Sequence, residues 1–208
     1  MLENPDRMYR GAFLPHCEGA GRPQMITTRL GDSLPKRVYR KIIAEAEDEK
    51  ECRALAQRYL DEGRGKCHLK DREAAEVIAE GVRFYDAKRY DLVDWVVMPN
   101  HIHLVYQNPT DEVGDIARDL KSYTSSAIND RLERSGKLWQ RDYFDRYARS
   151  PQHFSNMIFY TLLNPVRAGL VDDPFDWPFS SIHGYCAEFR EDLRRWYRAW
   201  KERFWRAT

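Results

Sequence analysis

No apolar run in the chain approaches the ~18 residues needed to cross a membrane as a helix. Met1 to Arg10 carries Glu3, Asp6 and Arg7 and no apolar core, so no secretory leader is expected. Cysteine is scarce and unpaired in pattern. Cys17, Cys52, Cys67 and Cys186 show no C-x-x-C spacing, and the dipeptides His16-Cys17 and Cys67-His68 are too sparse for a zinc site. The cysteines read as reduced thiols, which with the missing leader predicts a cytoplasmic protein. A charge excess is also missing: 34 basic against 33 acidic side chains leave a net charge of +1. That removes the argument from net charge for nucleic acid, though a local patch is not excluded. Internal repeats and low-complexity tracts are absent.

Rings and charges are plentiful instead, with 13% aromatic and 32% charged residues. A chain of 208 residues suffices for one domain with a core of its own. Residues 1–24 hold three prolines and three glycines and read as a lead-in arm. A strand is expected at Met25–Leu30. One long helix is expected over 33–60, then a loop over 61–71 and a second helix at 72–84. Two strands, 90–98 and 101–106, flank Pro99-Asn100 as a hairpin. A helix follows over 111–135, then a strand, or two short ones, at 138–147. A helix at 152–163 is expected to end at Asn164-Pro165. Residues 177–185 read as irregular, and 193–205 as a last helix. This order predicts an α+β fold with helices on one face of an antiparallel sheet. The division is one domain over 1–185 and a basic, aromatic helical tail over 186–208.

Three groups of residues could carry chemistry. His101 and His103 are i and i+2 on a strand, so both imidazoles project to one face. That suits two ligands of one metal ion, and equally two unrelated histidines on a polar face. Tyr160 and Asn164 are i and i+4 on a helix and share a face. They fit a phenol nucleophile beside an amide ligand, and equally a packed ring beside a helix terminator. Residues 118–149 hold eight basic and five acidic side chains among five rings. Arg and rings together hold unpaired bases and their phosphates; a core with solvated charges has the same composition. The tail from Phe189 has a +4 excess and an apolar stripe of Leu193, Trp196, Trp200 and Phe204, which suits docking on the body.

These segments resemble a known family. Met98-Pro99-Asn100-His101-Ile102-His103-Leu104 and the later Tyr160-x-x-x-Asn164-Pro165-Val166-Arg167, in this order, are similar to motifs of the REP-associated tyrosine transposases, a branch of the single-tyrosine HUH transposases. Tyr9–His16, Ile26–Pro35, Gly65–Lys70, Lys121–Thr124, Leu138–Gln140 and Tyr143–Arg146 resemble other parts of it. The resemblance implies a ferredoxin-like domain of the HUH endonuclease type. It implies His101, His103 and Asn164 as ligands of Mg2+ or Mn2+, and Tyr160 as the nucleophile that forms a 5′-phosphotyrosine. The implied partners are single-stranded DNA and hairpins of repetitive extragenic palindromes. The implied activity is cutting and rejoining them, in a nucleoid-associated protein, with a homodimer among the assemblies allowed. For DNA contacts the reading selects Arg118, Lys121, Tyr123, Trp139, Arg146, Arg149 and Arg167. The competing readings are a metal-dependent phosphoesterase using water and a non-catalytic DNA-binding relative.

Overall fold

The computed structural model describes residues 7–10, 15–18 and 21–204. The rest of the lead-in arm and the last four residues of the tail lie outside the described residues. Within the arm, β1 (Arg7–Arg10) and β2 (Pro15–Glu18) pair as an antiparallel hairpin.

The main sheet contains β3 (Gln24–Arg29), β4 (Asp91–Val97), β5 (His101–Gln107) and β6 (Phe144–Tyr147). Its order is β4-β5-β3-β6, with every neighbour antiparallel. Between β3 and β4 lie α1 (Lys36–Glu45), α2 (Glu49–Asp61) and α3 (Arg72–Phe84). Between β5 and β6 lies α4 (Val113–Arg131). Strand–helix–strand–strand–helix–strand with the first and third strands central is the ferredoxin-like arrangement, as expected.

Alternation along each strand sorts its residues between two faces. Ile26, Ile102, Leu104, Tyr106, Trp95 and Val97 form the main core with α3 and α4. Gly81 of α3 lets that pair of helices close: a Cβ there would lie 3.2 Å from Leu120 Cδ1. Met25 and Val105 point the other way, onto Met157 and Phe154 of α5 (Pro151–Leu162). The two crossover helices thus lie on one face as expected, and α5 covers the other, where His101 and His103 project.

Several boundaries differ from expectation, each for a local reason. The helix expected over 33–60 breaks at Ala46, which is extended. Asp48 then starts α2 by accepting the Glu51 N–H at 2.8 Å. The acidic run 45–51 therefore marks a helix start and not only a solvated face. Asn164-Pro165 does not stop the chain's helical path. A further turn, α6 (Asn164–Arg167), follows α5 with Pro165 in its first turn, where a missing N–H costs nothing. Residues 177–185 are anchored to β4: Trp177 Nε1 donates to the Val97 carbonyl at 2.9 Å, and Ser181 Oγ and Tyr185 Oη donate to Asp94. The tail helix α7 (Ala187–Phe204) starts six residues earlier than expected. Leu193 and Trp196 pack on Leu162, Leu163 and Phe159, with Trp196 stacked on Phe159 at 4.6 Å. Trp200 and Phe204 side chains lie outside the described residues. No described helix is long and apolar enough to cross a membrane.

The arm is tied to the sheet by a buried charge network. His16 of β2 lies between Asp142 (3.0 Å) and Asp145 (2.5 Å) and stacks on Tyr143. Burial alone would lower its pKa, but hydrogen bonds and charge from the two carboxylates outweigh that and raise it to about 9. A folded-state pKa above the unfolded 6.5 stabilises fully below pH 6.5 and is lost as pH rises through 9. The thermal midpoint of the parent should therefore fall faster between those values than that of His16→Gln. Parallel pH profiles of the two would contradict the linkage.

Candidate active site

β5 opens with His101 immediately after the turn Met98–Asn100, and both imidazoles are fully buried beneath α5. Each is held by its Nδ1. Asn100 donates its amide N–H groups to the carbonyls of Leu60 (3.1 Å) and Arg64 (2.9 Å), so its Oδ1 faces His101 Nδ1, at 2.7 Å. That oxygen only accepts, so His101 carries its proton on Nδ1 and a lone pair on Nε2. Thr27 stands opposite His103 in the β3–β5 register, and its Oγ1 lies 2.8 Å from His103 Nδ1. His103 Nε2 accepts from the Asn164 amide at 3.0 Å. Both Nε2 lone pairs therefore face the space under α5, with the ring centroids 4.8 Å apart.

Burial lowers the His101 pKa to about 3. It also holds His103 well below the usual range, helped by His101 and the nearby Arg146 and Arg167 charges. Both rings are neutral at physiological pH, the form in which imidazole binds a metal.

Tyr160 of α5 lies over this pair, its ring 5.4 Å from that of His103. Arg167 stands 4.4 Å and Arg146 5.1 Å from its ring centre. Burial raises the phenol's pKa and Asp61 adds to that, while Arg167 and Arg146 act in the opposite direction. Asn164, one turn on, is fully buried, and its Oδ1 has no hydrogen-bond partner. A buried amide oxygen left unsatisfied is costly; turning the amide over would exchange Nδ2 for Oδ1 at His103 Nε2 and present that oxygen to a cation bound there. Two imidazole nitrogens and one amide oxygen are a donor set that fits a divalent metal ion.

The residues selected for DNA contacts divide. Arg146 and Arg167 gather at Tyr160, and exposed Arg149 follows on the same strand end. Trp139 does not present a face to a base: it is a core residue, 4% exposed, with its indole N–H bonded to Thr124. Arg118, Lys121 and Tyr123 lie on α4, across the sheet from the imidazoles. Arg118 is paired with Asp115 and Asp119. Lys121 donates to the Arg141 carbonyl, and burial lowers its amine to about 8. Composition put these side chains in one patch because it cannot tell two sheet faces apart.

Two neighbours of the site were not expected from the sequence. Gln57 Nε2 lies 3.1 Å from His101 Nε2, and Asp61 Oδ1 lies 4.0 Å from it. Burial pushes the Asp61 carboxyl up to about 6, against the pull of Arg167 and the Gln57 hydrogen bond. Nothing local marks either residue; only the docking of α2 beside the hairpin turn brings them in.

Residues 62–150 match the family model described as transposase IS200 like. A REP-associated tyrosine transposase of Escherichia coli (strain K12) is 27% identical over 96 residues, covering 45% of this chain and 55% of that protein. A Haemophilus influenzae protein provisionally given the same name is 29% identical over 105 residues, covering 45% of this chain and 60% of that protein. The chain thus spans little more than half the length of these relatives. A solved structure of a REP-associated tyrosine transposase bound to a REP hairpin aligns with 78% of each chain, at 18% identity and a TM-score of 0.48. The segment 62–150 holds both imidazoles but neither Tyr160 nor Asn164, whose placement rests on the fold. By that segment and these relatives, the chain is similar to REP-associated tyrosine transposases and, over residues 62–150, to the IS200-like transposase family.

Proposed function

We propose that this chain binds hairpin-bearing single-stranded DNA and cuts and rejoins it through a covalent bond to Tyr160. The observation that carries the reading is convergence. A strand pair of imidazoles, a phenol and an amide one turn further on, and two guanidiniums from β6 and α6 meet at one place. A phosphoesterase using water has no need of the phenol, and a binding module has no need of the buried imidazoles.

The step is a phosphoryl transfer. Tyr160 Oη attacks the scissile phosphorus; the Oη–P bond forms and the bond from phosphorus to the 3′-oxygen breaks. The phenol gives up one proton and the departing 3′-oxygen takes one up. The products are a 5′-phosphotyrosine and a free 3′-hydroxyl, and the reverse attack by a 3′-hydroxyl rejoins the strand. A free phenol ionises near pH ~10 and is a poor nucleophile at neutral pH. Arg167 and Arg146 favour its anion, and both are placed to pair with phosphate oxygens. Held by His101, His103 and Asn164, Mg2+ or Mn2+ would supply positive charge for the phosphate in the transition state. Thr27 and Asn100 fix the two rings. A protein with this partner works at the nucleoid.

An end-labelled REP-type hairpin oligonucleotide with Mn2+ should be cleaved and leave label on the protein after denaturation. Its binding should weaken steeply with salt as counterions are released. Binding without any metal-dependent cleavage would favour the non-catalytic relative.

A further inference from the structure

His101, His103 and Asn164 are all neutral donors, and two guanidiniums stand beside them. A divalent ion on that set alone would be buried with no compensating negative charge from the protein. Mg2+ and Mn2+ also favour carboxylate oxygen over imidazole. Asp61 Oδ1 lies 4.0 Å from His101 Nε2 with the Gln57 amide between them, so among the described residues this carboxylate and the two imidazoles do not close on one point until that amide moves aside. Asp61 is the last residue of α2, its side chain 14% exposed. The Asn100 amide bonds to Leu60 and Arg64 on either side of it, pinning the end of α2 against the turn that leads into His101. Gln57, one helical turn earlier, places its amide nitrogen 2.6 Å from Asp61 Oδ1 and 3.1 Å from His101 Nε2. A single NH2 group thus bridges a carboxylate lone pair and an imidazole lone pair, as a shared cation would.

We propose that Asp61 is a fourth protein ligand of the divalent ion, and that Gln57 holds its carboxylate on His101 when no ion is bound. The proposal rests on the metal reading of the site. Neither residue lies in the segment 62–150 that matches the family model.

The test is Mn2+ affinity of the full chain without DNA, by calorimetry and by loss of the free-ion EPR signal. Asp61→Asn should bind Mn2+ about 10- to 100-fold more weakly, with its thermal midpoint in EDTA near the parent's. Asp61→Cys should lose Mn2+ and gain Cd2+, because thiolate is a soft ligand. A purely structural role would not produce that exchange, so this variant also decides the matter if Asp61→Asn folds poorly. His101→Ala serves as the reference. If His101→Ala loses Mn2+ while both Asp61 variants bind it like the parent, the proposal is wrong and the metal reading stands. If His101→Ala also binds like the parent, the metal reading itself falls.

Discussion

Tyr160→Phe should abolish both hairpin cleavage and the protein–DNA adduct, by ~10⁴-fold or more in rate. The loss is that large because a tethered nucleophile acts at an effective concentration that water cannot match. Stability should fall little. The ring keeps its place beside His103 and under the two guanidiniums. What goes is one hydroxyl and its interaction with Arg167, worth ~1 kcal/mol. Hairpin binding should persist, since contacts to a nucleic acid are spread over many side chains. If Tyr160→Phe still forms the adduct, another of the 12 tyrosines is the nucleophile. If it cleaves without an adduct, water attacks and the phosphoesterase reading holds.

The second large effect is expected at His103. His103→Ala should eliminate cleavage while leaving hairpin affinity within a few-fold. This variant also carries a stability cost. Thr27 Oγ1 and the Asn164 amide both bond to the ring, and each buried group left unpaired costs ~1–3 kcal/mol. Activity should therefore be read well below the variant's thermal midpoint. Parent protein in EDTA supplies a control without that cost and should be equally inactive. Undiminished cleavage in EDTA would remove the ion from the mechanism.

The sequence disclosed the parts of the site that lie on regular elements. His101 and His103 share a face because a strand repeats every two residues. Tyr160 and Asn164 share one because a helix nearly repeats every four. The strand and helix order sufficed for an α+β fold with helices on one face of an antiparallel sheet, with α3 read to the residue, and the resemblance supplied the ferredoxin-like arrangement. The failures share a cause. Trp139 looked like a stacking platform because burial is not written in local composition; Thr124, 15 residues earlier, takes its N–H. Arg118 and Lys121 looked like partners of Arg146, yet they stand across the sheet from it. Gln57 and Asp61 sit 44 and 40 positions before His101 in a helix of ordinary amphipathic pattern. The Asn100 amide that fixes both the end of α2 and the His101 tautomer reads, locally, as turn punctuation after Pro99.

The most direct test of the central claim is the site of covalent attachment. The full chain should be incubated with Mn2+ and a REP-type hairpin oligonucleotide, denatured, digested with protease and nuclease, and its peptides read by mass spectrometry. The account predicts a nucleotide joined by a 5′-phosphate to Tyr160 and to no other residue. Attachment at a different tyrosine, or cleaved DNA with every tyrosine unmodified, would contradict it.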